Sequence, residues 1–112
     1  LVIRVDDVVQ EAKRRGIRLP QVKKGKGGVV ERFKLRPSSI AVQPQDGNYW
    51  ILSAQDHCLL VLDREGALVD LVVLDAKLHP KAEGITFLPN GDLLISNEGK
   101  DRPANLLFFQ RR

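Results

Sequence analysis

The chain has 112 residues, 43% hydrophobic and 29% charged, which is the composition of an ordinary globular domain with a small core. Aromatic residues make up only 5%, arguing against surfaces built of stacked rings, and no apolar run approaches the roughly 18 residues of a membrane-spanning helix. The net charge of +4 is uneven: residues 1–36 carry +7 and residues 37–112 carry −3.

In chain order, Leu1-Val2-Ile3-Arg4-Val5 reads as a short strand rich in β-branched residues. Asp6-Asp7 then predicts the N-cap of a helix through about Arg15, with Val8, Val9 and Ala12 on one face. Lys13, Arg14 and Arg15 suit the carbonyl end of the helix dipole, and Gly16 is a natural stop. Lys23-Lys24-Gly25-Lys26-Gly27-Gly28 is a basic, glycine-rich loop. It has no aromatic residue to stack a base, and it lacks both the spacing and the following helix of a phosphate-binding loop. A solvated connection is therefore favoured there, with an anionic membrane surface ahead of nucleic acid as an alternative partner. Val29–Leu35 reads as an edge or outer strand.

From Arg36 onward the pattern is all-β, in short runs divided by turn signals. Strands are expected over Ser39–Gln43, Tyr49–Ser53, Cys58–Asp63 and Leu68–Leu74, and, after a linker with His79-Pro80, over Glu83–Leu88, Leu93–Asn97 and Asn105–Gln110. The recurrence is an internal repeat. Ser38–Pro44 overlies Glu83–Pro89 at an offset of 45, Trp50–Ser53 overlies Leu93–Ser96 at 43, and Leu59–Val61 overlies Leu106–Phe108 at 47. A four-strand unit every 40 to 50 residues or so is the signature of a β-propeller blade.

The expected fold is thus all-β, a partial β-propeller of about two and a half four-stranded antiparallel blades, with one short helix inserted near the N-terminus. Residues 1–35 would form the outer part of a preceding blade carrying the helix and the basic loop, 36–76 a complete blade, and 77–112 three strands of a last one. A closed ring needs at least about four blades, and the chain starts at Leu1 and contains no methionine, so it reads as a piece of a longer product. The missing blades of that parent, or another copy pairing at exposed strand edges, are the expected partners.

Pro37-Ser38-Ser39-Ile40-Ala41, Tyr49-Trp50-Ile51-Leu52-Ser53 and Leu59–Gly66 resemble the bacterial SdiA-regulated (YjiK-like) family, as does the run from Pro80 to Glu98. The likeness covers residues 36–110 well and residues 1–35 poorly. It implies a six-bladed propeller in the periplasm or at the cell envelope, with a poorly defined biochemical role.

Glu83 and Glu98 are the leading candidates for chemistry. Glu83 opens an inner strand, and Glu98 follows the antiparallel strand beside it, so both fall at one rim, where Ser96 and Asn97 add oxygen donors. Oxygen donors suit calcium or magnesium, and Glu-Gly starts resemble those that supply metal ligands in lactonase-type propellers, which makes Glu83 a candidate calcium ligand. The bland alternative is that Glu83 caps a strand and pairs with Lys81 or Lys100. Ser38 stands where the second repeat has Glu83, so the blade itself does not require the carboxylate.

Elsewhere the signals are structural. Ser53, Asp56 and His57 have the residue types of a hydrolytic triad, but neighbours in one short loop seldom reach triad geometry and no nucleophile elbow is present. The single cysteine, Cys58, excludes an internal disulfide and reads as a small buried thiol. Trp50 is expected to pack blade against blade. Two readings remain: a binding or scaffold module of the bacterial envelope, or a calcium-dependent lactonase- or phosphoesterase-like hydrolase.

Overall fold

The computed structural model describes residues 2–20, 35–75, 82–99 and 103–111. Helix α1 spans Val5–Arg14, and Val8, Val9 and Ala12 form its buried stripe, as their helical spacing predicts. Asp6 and Asp7 lie in its first turn and Lys13 and Arg14 in its last, each complementing the dipole. The N-cap, however, is Arg4, which is extended and makes no side-chain capping bond, so Asp6 and Asp7 act through charge alone. At the other end Gly16 adopts φ +71°, and the Ile17 and Gly16 amides reach back to the carbonyls of Ala12 and Lys13. That pair of bonds closes the helix as a Schellman motif, which needs the left-handed glycine.

The strand expected over residues 1–5 is not formed. Residues 2–4 have no regular structure and Val5 begins the helix. β-Branched residues favour a strand only where a partner strand exists, and here Ile3 and Val5 pack against the helix-side core instead. Among the described residues, no strand precedes residue 39. Lys23, Lys24 and Lys26, most of the expected strand 29–35, and His79-Pro80 lie outside the described residues. Leu35, at the end of that run, is buried and not in a strand.

Seven strands follow among the described residues: β1 (Ser39–Val42), β2 (Tyr49–Ser53), β3 (Cys58–Leu62), β4 (Leu68–Val73), β5 (Ala82–Phe87), β6 (Leu93–Asn97) and β7 (Asn105–Phe109). They match the expected runs to within a residue at each end. The first sheet has the order β1-β2-β3-β4 and the second β5-β6-β7, and every pairing is antiparallel between strands consecutive in the chain. Asp63 shapes the β3–β4 turn by accepting bonds from the amides of Glu65 and Ala67.

The repeat holds register for register, with one correction. Ile40 faces Ile51 in the first sheet, and Ile85, its equivalent, faces Ile95 in the second. The offset for the second strand is therefore 44 rather than 43, which matches Trp50 with Leu94 and Ser53 with Asn97. Side chains alternate between sheet faces, so a slip of one residue exchanges the faces of a whole strand. Only the pairing register, not the letters, fixes it.

The molecule is layered as helix, first sheet, second sheet. Val8, Val9 and Ala12 of α1 pack with Leu35 on Cys58, Leu60, Leu62, Leu68 and Leu71. The opposite face of the first sheet, through Leu52 and Leu59 with Ala41 and Trp50, meets Ala82, Ile85 and Ile95 of the second. Being covered on both sides, β3 is buried at every position and carries an unbroken apolar run instead of an alternating one. Trp50 packs sheet against sheet as expected, its ring edge-on to Phe87 at 5.2 Å between centroids and 85° between planes. At one end of the interface Gln45, beyond β1, donates to the Pro89 carbonyl of the β5–β6 turn. Among the described residues the two sheets remain open and neither closes on itself.

Candidate functional site

Antiparallel pairing puts the start of β5 beside the end of β6, with Ala82 opposite Asn97 and Gly84 opposite Ser96. Glu83 is the extra residue between them, a β-bulge at the sheet end. Bulges re-aim side chains and interrupt pairing, and they recur beside functional sites. Glu83 and Glu98 are both exposed, and both interact with their surroundings.

The four candidates share a rim but not a face. Asn97 is buried, at 3% exposed, on the side turned toward the first sheet, and its amide donates to Asn105 Oδ1 at 3.0 Å across β6–β7. Its Oδ1 is buried without a partner among the described residues. Ser96, one residue earlier, lies on the opposite face. There it lines a shallow groove of about 230 Å³ with Gly84, Thr86, Leu94 and Leu106, and its hydroxyl occupies the space a side chain on Gly84 would need. Glu83, Glu98 and Asn97 thus offer hard oxygen donors at one sheet end, while Ser96 belongs to a separate apolar groove.

These donors suit a hard divalent cation in kind, and the orphaned Asn97 oxygen is the type of atom such an ion would satisfy. In number they fall short of the six to eight or so oxygens calcium prefers. No group of three or more His, Cys, Asp or Glu side chains able to hold a metal occurs among the described residues.

The same rim of the first sheet holds a network that the sequence did not reveal. Asp56 Oδ2 accepts from the Ser53 hydroxyl at 2.6 Å and from the Arg36 amide at 3.0 Å, and Oδ1 accepts from Arg36 Nη2 at 2.9 Å. Burial pushes the Asp56 carboxyl up, but the bonds from Arg36 and Ser53 outweigh it and hold the group below the usual carboxylate range. Ser38, at the position equivalent to Glu83, donates to the Leu52 carbonyl and accepts from the Ala54 amide. In the first repeat this position therefore ties strand ends together, whereas in the second it carries a bulged carboxylate. The only signal in the sequence was the four-residue loop that brings Asp56 back to Ser53.

No triad forms. The Ser53 hydroxyl is committed to Asp56, and His57 is held at φ +47° in the turn, where its carbonyl accepts from the Leu74 amide. Cys58 is fully buried, and desolvation, helped by the nearby Asp56 charge, pushes its thiol up to about 12. A thiol so protonated is not a nucleophile at neutral pH. Aromatic-disulfide titration of the native protein is expected to leave Cys58 unlabelled over hours and to label it fully in denaturant; rapid native labelling would contradict its burial.

A larger cleft of about 360 Å³ lies elsewhere, between α1 and the β3–β4 turn, lined by Ile3, Arg4, Asp7, Glu11, Arg15 and Glu65 among others. One of its carboxylates is held by arginines. Glu11 accepts from both Arg14 and Arg15, and chiefly the Arg14 bond lowers its carboxyl to about 2.

Compared with protein-family models and with curated proteins, the chain matches none. No helix among the described residues is long and apolar enough to cross a membrane. Among the described residues the structure is mainly β, with two antiparallel sheets and one short helix.

Proposed function

We propose that the chain is part of a β-propeller related to the SdiA-regulated proteins and that it works as a binding or scaffold module of the bacterial envelope. The sheets are its blades, and the rim carrying Glu83, Asn97 and Glu98 is its recognition surface. The observation supporting this reading most directly is the register-for-register repetition of two meander sheets packed face to face. Departure from that repetition at Glu83, where a strand-tying serine gives way to a bulged glutamate, singles out the rim. Fractionation of cells making the parent protein is expected to recover it with the periplasm or envelope; a cytosolic protein would overturn the assignment.

The second reading, a calcium-dependent hydrolase of lactonase or phosphoesterase type, draws support from the buried Asn97 oxygen, which has no partner among the described residues, at the sheet end that carries two glutamates. Sites of modest affinity have Kd near 10⁻⁴ to 10⁻³ M or so, and a ligand at about 100 times Kd adds roughly 2.7 kcal/mol of stability. Calcium at about 10 mM is then expected to raise the melting temperature by several degrees, and Glu83→Gln to remove most of that rise. An unchanged melt in both proteins would discard the calcium reading.

A further inference from the structure

The internal repeat assigns every residue of the second sheet an equivalent in the first, and this extends to the faces. The positions through which the first sheet meets the second are Ala41, Trp50, Leu52 and Leu59. Their equivalents are Thr86, Leu94, Ser96 and Leu106, with Phe108 matching Val61. These form the free face of the second sheet, where the groove lies; Leu106 is 68% exposed and Phe108 52%. No charged residue interrupts this set.

The complementary half is also present, and its β1 part is exposed among the described residues. The second sheet docks through Ile85 and Ile95, which are 8% and 2% exposed. Their equivalents in the first sheet are Ile40 and Ile51, of which Ile51 is half-buried against the helix-side core. Ile40 is 60% exposed and Val42 beside it 54%, because α1 covers β3 and β4 and leaves β1 open. One chain therefore displays, on its two outer faces, one partner of its own sheet–sheet interface and the β1 part of the other.

We propose that these faces bind each other between copies of the chain, the Leu94–Leu106–Phe108 face of one molecule seating on the Ile40–Val42 face of the next. The contact is heterologous, head to tail, and repeats the internal packing. Its basis is the observed equivalence of the sheets, independent of any ring in a parent protein. Contiguous exposed apolar faces of this kind mark association surfaces, unlike isolated exposed leucines. A second copy is the occupant, since it carries the face already seen to fit.

Sedimentation velocity from low to high micromolar concentration tests this. The wild-type chain is expected to associate, its weight-average mass rising to at least twice the monomer value. I40D and L106D each spoil one half of the contact at an exposed position, so each alone is expected to stay monomeric. Mixed together they retain one intact pair of faces and are expected to form a 1:1 heterodimer that grows no further. Far-ultraviolet circular dichroism confirms folding; if an aspartate proves disruptive, I40T and L106T provide the same comparison with residues favoured in strands. A wild-type chain monomeric throughout would overturn the proposal, as would variants that still self-associate, the mark of pairing at the β7 edge. A mixture that stays monomeric would overturn it as well.

Discussion

Leu60→Ala is expected to lower the unfolding free energy by about 2 to 5 kcal/mol, read from urea denaturation with an unchanged slope. Leu60 is 1% exposed in β3 and sits under Val8, Val9 and Ala12 of the helix. The layer above is a helix end-stopped by its Schellman turn and the layer below is a hydrogen-bonded sheet, so little can move in to fill the void. Total stabilities of domains are about 5 to 15 kcal/mol, so this one truncation consumes a large share. Leu106→Ala, with no cover over the side chain, is expected to change the stability of the dilute monomer by no more than about 0.5 kcal/mol. Equal losses at the two sites would contradict the layer order.

Acidification is expected to destabilise the fold through Asp56. Its side chain is 7% exposed and receives three hydrogen bonds, two from Arg36 and one from Ser53. Its folded-state pKa lies below the unfolded value near 3.9 or so. The stabilisation is therefore fully present above that unfolded value and is lost as pH falls through the lower folded value. Asp56→Ala strands the Ser53 hydroxyl and the Arg36 amide and is expected to cost about 1 to 3 kcal/mol at neutral pH. Asp56→Asn keeps the shape and one acceptor, so it should retain part of the stability while flattening the acid limb. A wild-type melting profile that does not change between pH 6 and pH 2 or so would refute the role. The carboxylate also anchors the segment leading into β1, so its loss is transmitted to the strand that presents Ile40.

Strand positions were readable because short apolar runs alternate with turn chemistry that has a fixed physical meaning, such as Asp63 before Gly66 and Asn90 before Gly91. The helix was readable from the spacing of Val8, Val9 and Ala12. The leading strand misled because Val2, Ile3 and Val5 have strand propensity but no partner, and propensity yields to tertiary context. Offsets between repeats were off by one in β2 because Trp50 and Leu94 look unlike each other, while the misaligned Ser53 and Ser96 look alike. That slip mattered for the site: it paired Ser53 with Ser96 and so assigned Ser96 and Asn97 each to the wrong face of the sheet. Likewise, Glu83 at the rim followed from antiparallel order, but its bulge depends on a register that no local pattern specifies. Asp56 was visible only as a member of a rejected triad, since hydrogen bonding across 20 residues to Arg36 leaves no trace in spacing.

The consecutive pairing of all seven strands also bears on how the chain folds. Each ladder joins neighbours in sequence, so the loops that must close are short and their closure entropy is small. Contact order is then low for a β protein, and each meander can assemble before it meets the other. The two sheets meet through Trp50, Leu52, Ile85 and Ile95, residues farther apart in the chain than the partners of any ladder. A chain emerging from synthesis completes its first sheet before the second exists, so the unmatched face of Trp50 and Leu52 must wait, uncovered, for roughly one more repeat of translation, at about 5 to 20 residues per second.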